Sequence, residues 1–204
     1  MSDHTERSRP RRRRVVALSA AGLAAAALVA GLLVALGGGS SGPGDFSWFR
    51  ASPPPSGWHQ VTLPDGARLF YPPSLRPTTA DPGAASVVRR GADDVYVGYL
   101  NATPWTLPPP DEGWARARID RLSDEDTAIV EDGARDAVEF AGGGRGSCVA
   151  DHYVTRIGHH RFFEMACLVR SPTGTSVVLV AAASAAQWPG RQSELRQALE
   201  AFRA

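Results

Sequence analysis

Val15 to Leu36 reads VVALSAAGLAAAALVAGLLVAL, 22 residues without a charge. At about 1.5 Å per residue, a helix of that length crosses a hydrocarbon core of roughly 30 Å. A soluble core helix would carry a polar stripe at a period of about 3.6; only Ser19 interrupts this run. RPRRRR stands immediately before it, and no basic residue follows until Arg50. The positive-inside bias makes residues 1–14 a cytoplasmic Arg-rich tail and 15–36 a single-pass transmembrane helix, with the remainder outside. A cleaved signal peptide is the alternative, and it would make the body a secreted protein. Such signals have apolar regions of about 7–15 residues and a small-residue cleavage site, which Ala35-Leu36-Gly37 matches poorly. No cysteine follows the run closely, which excludes a lipoprotein anchor. Both routes place the body outside the cytoplasm.

The charge divides in the same way. Residues 1–36 hold six arginines against Asp3 and Glu6, a net of +4, and residues 37–204 hold 16 arginines against 19 acids, a net of −3. A mildly acidic body lacks the concentrated basic face that nucleic acid requires, so no nucleic-acid partner is expected. Every one of the 22 basic residues is Arg, as in a GC-rich genome. The absence of Lys excludes a Schiff base, a Walker-type phosphate lysine and a Ser–Lys dyad.

Residues 37–57 form a Gly/Ser/Pro linker, a composition that does not fold alone. Gly38-Gly39-Ser40-Ser41-Gly42 matches the nucleophile-elbow pattern but lacks the strand and helix that the elbow needs. Trp48 and Phe49 are read as touching the membrane interface or the body. Residues 58–204 are long enough for one extracytoplasmic domain with its own core.

Within that domain, 58–63 and 67–71 flank the turn signal Pro64-Asp65-Gly66, and 86–90 and 95–101 form a second hairpin. Asp111 is the expected N-cap of a helix whose apolar stripe is Ala115, Ile119 and Leu122. Residues 127–131 and 137–140 read as two strands. Ser176 to Ser184, SVVLVAAAS, is apolar enough to be a central strand covered on both faces. Trp188 to Arg203 is a final helix with Pro189 in its first turn and Leu195, Ala198, Leu199 and Phe202 on one stripe. The fold class is α+β, an antiparallel sheet with flanking helices in the order ββββαβ(β)βββα.

Cys148 and Cys167 bracket CVADHYVTRIGHHRFFEMAC. Opposed residues of an antiparallel pair have a constant index sum, here 315. That register places Ala150 opposite Met165 and His152 opposite Phe163 on the cysteines' face. It centres the turn between Ile157 and Gly158, as a type II turn with Gly158 at positive φ or as a four-residue loop. Opposed strand residues lie roughly 4.5–5.5 Å apart at Cα, within disulfide reach. Outside the cytoplasm the pair is expected to oxidise and to stabilise the fold by about 3 kcal/mol. Two buried thiols are the alternative; the spacing does not suit a zinc or C-x-x-C redox site.

The same register opposes Asp151 and Glu164 on the other face, flanked by Tyr153–Phe162 and Val149–Ala166. Like charges directly opposed are unfavourable, so these two face water, hold an arginine, or share an acidic pocket in which one pKa is raised. The first two readings are preferred. Asp151, Glu164, Tyr153 and Phe162 are the candidate recognition surface.

His152 lies on the core face and His159 and His160 in the turn, so no metal centre is expected. Residues 123–132 hold five acids but fail the calcium-loop spacing at Ala128 and Ile129. AGGGRGS lacks a phosphate-loop lysine and reads as a bulge or strand entry. Asn101-Ala102-Thr103 matches a glycosylation triplet that a bacterial host would not use. No cofactor or catalytic residue is expected.

Tyr71-Pro72 after a short hairpin, the apolar strand 176–184, and the ending AAQWPGRQSELRQALEAFR with Trp188 and Phe202-Arg203 together resemble the Mog/PsbP-like fold. Actinobacterial envelope proteins, membrane-anchored or secreted, share this ending. The resemblance implies an α/β/α sandwich and a non-enzymatic binding or assembly role, as in extrinsic photosystem subunits, a Ran-binding protein and mycobacterial envelope proteins. It carries no functional residue over to this chain. The expected function is a membrane-anchored binding or accessory module of the cell envelope, recognising an envelope protein or small ligand. An envelope hydrolase using Asp151 and Glu164, or a structural or sensory ectodomain, are the alternatives.

Overall fold

A computed structural model describes residues 43–204 apart from Asp93. The tail and the apolar run 15–36 lie outside the described residues. Among the described residues no helix is long and apolar enough to cross a membrane.

A two-stranded hairpin, β1 (His59–Thr62) and β2 (Arg68–Tyr71), precedes the main sheet. Then follow β3 (Arg76–Thr78), β4 (Ala85–Arg90), β5 (Tyr96–Trp105), α1 (Trp114–Glu125), β6 (Asp126–Glu139), β7 (Arg145–Thr155), β8 (Arg161–Arg170), β9 (Ser176–Ser184) and α2 (Trp188–Ala201). The seven-stranded sheet runs β3-β4-β5-β9-β8-β7-β6, antiparallel throughout. After β5 the chain passes through α1 to the far edge, and the meander β6 to β9 returns to seat β9 against β5. Ser176–Ser184 is thus central, as its composition requires.

Strand alternation separates two faces. One face gathers Leu100 and Ala102 of β5, Leu179 and Ala181 of β9, Met165 and Cys167 of β8, and Cys148 and Ala150 of β7 under Leu195, Leu199 and Phe202 of the α2 end. Arg203 ties the chain end to β2, its N–H donating to the Arg68 carbonyl at 3.1 Å. The opposite face carries Val149, Ala166 and Val180 against Trp114, and Tyr153, Phe162 and Ala182 against Leu122, both from α1. The helices therefore cover opposite faces of an α+β sandwich.

The hairpin register is the expected one: Cys148 opposes Cys167, Ala150 Met165, Asp151 Glu164 and Tyr153 Phe162. The cysteines sit at disulfide-bonding distance, with Cα atoms 4.1 Å apart. Thr155 N–H donates to the His160 carbonyl at 2.9 Å, which closes a four-residue loop; Gly158 has φ 79°.

Four expectations need correction. The domain does not begin at Trp58: Phe46 and Phe49 are buried in the α2-side core. Gly44 and Gly133 pass so closely that a Cβ on either would collide with backbone near the other. Arg135 also donates to the Phe46 carbonyl at 2.8 Å. A Gly/Pro-rich stretch docks here because two aromatics anchor it and backbone meets backbone. Next, α1 starts at Trp114 rather than after Asp111. A turn closed by Gly113 N–H on the Pro110 carbonyl at 3.1 Å and φ 87° at Gly113 keep the preceding residues out of the helix. Residues 127–131 and 137–140 belong to one strand, β6, in which three register shifts absorb the polar segment between them. Last, the short edge strand β3, with Pro77 inside it, was not expected.

Candidate functional site

The site lies where α1 meets the sheet. Trp114 opens the helix, and its Nε1 donates to the Ala166 carbonyl at 3.0 Å, pinning the helix to β8. At helical spacing, Trp114, Arg118 and Leu122 fall on one face. Arg118 thus points down at the sheet, its side chain only 14% exposed. Its Nε donates to Glu164 Oε1 at 2.8 Å, and Nη2 reaches the same oxygen. The other oxygen, Oε2, accepts from the Tyr99 hydroxyl at 3.1 Å and from Tyr153 at 3.5 Å; the two phenols lie 2.9 Å apart.

Asp151 stands beside Glu164 in the register, also with no exposed surface. Among the described residues, neither of its carboxylate oxygens has a hydrogen-bond partner. Burial, and then the Glu164 charge, push the Asp151 carboxyl up to about 9, with Arg118 offsetting this only in part. Asp151 is therefore neutral at neutral pH, and the centre balances one cation against one anion. Burial is the largest single influence on Arg118 and opposes its charge, but Glu164, with smaller help from Tyr99 and Asp151, outweighs it and raises the guanidinium pKa. Burial likewise holds both tyrosine hydroxyls well above their usual range, so they remain donors.

This corrects the expected recognition surface. Asp151, Glu164, Tyr153 and Phe162 are all buried, because α1 lies over their face of the hairpin. Of the readings weighed for the two acids, the solvated one fails. Glu164 holds an arginine, while Asp151 has the raised pKa of a shared acidic pocket. With both carboxylates shut off from solvent, neither reaches a substrate in this conformation. His152 lies on the α2 side, tilted at 44° against Phe163 with 5.4 Å between centroids, and 3.0 Å from Asp132. His159 and His160 are exposed in the turn.

A helix about 10 Å across covers roughly two strands spaced about 4.8 Å apart. Helix α1 lies against β6, β7 and β8, and its Trp114 and Leu122 also reach Val180 and Ala182 of β9, so the uncovered part of this face lies over β5 and the neighbouring Ser86 of β4. This leaves a groove of about 600 Å³ beside the helix. Its floor includes Ser86, Asn101 and Thr103, and its walls Trp105, Tyr99 and Arg121. Trp105 meets Trp114 edge-on, centroids 5.9 Å apart at 85°, and donates from Nε1 to the Pro108 carbonyl at 3.3 Å. Tyr99 and Arg118 line the groove as well, so both connect it to the buried centre. None of these groove residues was singled out from the sequence as a site residue. The alternation Tyr99, Asn101, Thr103, Trp105 along β5 is the signal that was available.

No family model matches this sequence, and no curated protein sequence does. Among solved structures, the chain is similar to cyanobacterial PsbP (CyanoP) from Synechocystis. The match has TM-score 0.50 and 16% identity, over 72% of this chain and 92% of that one. It is also similar to the Ran-binding protein Mog1p of Saccharomyces cerevisiae, with TM-score 0.44 and 11% identity over 71% and 86% of the two chains. A putative regulator from Pseudomonas aeruginosa gives TM-score 0.39 and 10% identity over 70% and 94%. The fold is PsbP-like, which is the fold the terminal strand and helix resemble; at such identities the likeness concerns fold.

Proposed function

We propose that this chain is a membrane-anchored, extracytoplasmic binding or accessory module of an actinobacterial type of cell envelope, without catalysis, and that the groove beside α1 is its binding site. The groove beside α1 carries this reading. It is walled by aromatic rings, and its lining mixes the apolar Val88, Val178 and Val180 with the polar Ser86, Asn101 and Thr103, the make-up of small-ligand sites. The apolar run 15–36 behind an arginine cluster supports the anchor, and the opposed cysteines suit an oxidising compartment.

Two measurements test it. With single reporter cysteines in a background lacking the native pair, Ser56→Cys is labelled by an impermeant maleimide on intact cells, and Ser8→Cys only after lysis. A soluble cytosolic protein, or the opposite labelling, overturns the topology. A photo-crosslinking amino acid at Thr103 captures an envelope component that the same group at exposed Arg116 does not. Equal or absent capture at the two positions overturns the groove as the site.

A further inference from the structure

We propose that the groove binds an uncharged, hydroxyl-rich ligand, a saccharide, held by Ser86, Asn101 and Thr103 and packed against Trp105; this rests on the reading of the groove as the binding site. The register sets Ser86 directly opposite Asn101, with Thr103 two residues further along β5. Successive same-face residues of a strand are about 6.8 Å apart, a spacing that lets neighbouring side chains address different hydroxyls of one sugar unit. Among the described residues, none of these three side chains makes a hydrogen bond to the protein. Together they offer two hydroxyls and an amide, groups that each both donate and accept. Hydroxyl-rich ligands require that dual capacity, because each sugar hydroxyl also does both.

The charges lining the groove weigh against an anionic ligand. Arg118, which lines the groove, is already paired with Glu164. Arg121 shares the rim with Glu125 and Asp81, so no surplus positive charge is left for a phosphate or carboxylate. A purely apolar ligand would displace water from Ser86, Asn101 and Thr103 and leave all three unsatisfied. The aromatic wall then supplies what the polar floor does not. Trp105 is held in place by its bond to Pro108 and its edge contact with Trp114. That leaves ring surface for the C–H face of a pyranose.

The test is calorimetric titration of the full-length chain in nanodiscs with maltohexaose, cellohexaose and chitohexaose, and with glucose 6-phosphate and palmitate for comparison. At least one neutral oligosaccharide binds, and Asn101→Ala and Trp105→Ala each weaken it about tenfold or more, the equivalent of about 1.4 kcal/mol. Thr103→Val, which removes only the hydroxyl, weakens it several-fold, and circular dichroism confirms that each variant is folded. No binding by any of the three oligosaccharides overturns the proposal. So does preference for the phosphate or the fatty acid, or sugar binding indifferent to all three substitutions. If crosslinking at Thr103 succeeds while the oligosaccharides fail, the binding module stands and the saccharide falls.

Discussion

The two faces of the sheet are built from the same strands by alternation, yet they hold to their helices by different physics. On the α2 side the cover is one large apolar cluster with the cysteine pair inside it. On the α1 side two small apolar clusters flank a buried ionic centre, and a groove beside the helix leaves part of the face uncovered. A continuous apolar face gains free energy from every side chain it buries, about 1.5–3 kcal/mol each. The ionic face gains little net and is lost sharply if one partner is removed. The first face therefore carries the stability, and the second is where a partner can be recognised.

The largest effect expected is on the α2 face. Phe202, fully buried and edge-on to Phe140 at 6.2 Å, has little room to be replaced by collapse. Phe202→Ala is expected to cost about 3–5 kcal/mol in urea unfolding. A loss comparable to a surface substitution would mean that the α2 side is not the stable half.

Arg118→Ala comes next. It strands Glu164 with no cation in a site without solvent, a change that costs about 3–5 kcal/mol when a buried pair loses one member. The damage should be local, because Arg118 links α1 to the sheet and does nothing for α2. Hydrogen exchange should accelerate in Trp114–Glu125 and leave Trp188–Ala201 protected. Uniform loss of protection over both helices would erase the distinction between the faces.

Asp151→Asn sharpens the same comparison in the opposite direction. The folded protein holds the Asp151 proton until about pH 9, whereas the ordinary carboxyl value is 3.8. The folded state thus binds more protons than the unfolded state between these limits, and stability falls as pH rises. The contribution is complete below about pH 4 and lost by about pH 9. The asparagine removes this slope, and at neutral pH it should stabilise the protein, because an amide is buried uncharged without the proton uptake that the carboxyl requires on folding. An unchanged pH profile of the unfolding midpoint would show that Asp151 is ionised and solvated.

These contrasts also explain what the sequence made legible. The hairpin register could be read because two cysteines, a glycine turn and strict alternation all point to the index sum 315. The central strand 176–184 and the stripe Leu195, Ala198, Leu199, Phe202 were legible because apolar runs report burial directly. Helix α1 was misread by part of a turn: its inward face is Trp114, Arg118 and Leu122, and an arginine in the middle hides an apolar stripe. Its outcome depended on Glu164, 46 residues away. Phe46 was hidden by its neighbours, since Gly/Pro composition suggests a tether and says nothing of one aromatic finding a distant core. The groove was illegible for a topological reason. Tyr99, Asn101, Thr103 and Trp105 read as one side of any strand until β9 inserts beside β5 and α1 leaves the part of that face around Ser86, Asn101 and Thr103 uncovered.

Asn101→Ala should have the smallest effect on stability. A side chain that was built for packing loses contacts when truncated, and one built for a structural hydrogen bond leaves its partner unsatisfied. Among the described residues Asn101 has no such partner, and its side chain lines the groove, so its truncation should change stability by about 0.5 kcal/mol or less. In the same preparation, occupancy of the groove should fall. That separation, binding lost with the unfolding midpoint unmoved, distinguishes a recognition residue from a structural one. A midpoint that drops as far as for Phe202→Ala would place Asn101 in the load of the fold, and the uncovered part of the α1 face would then be one more part of the core.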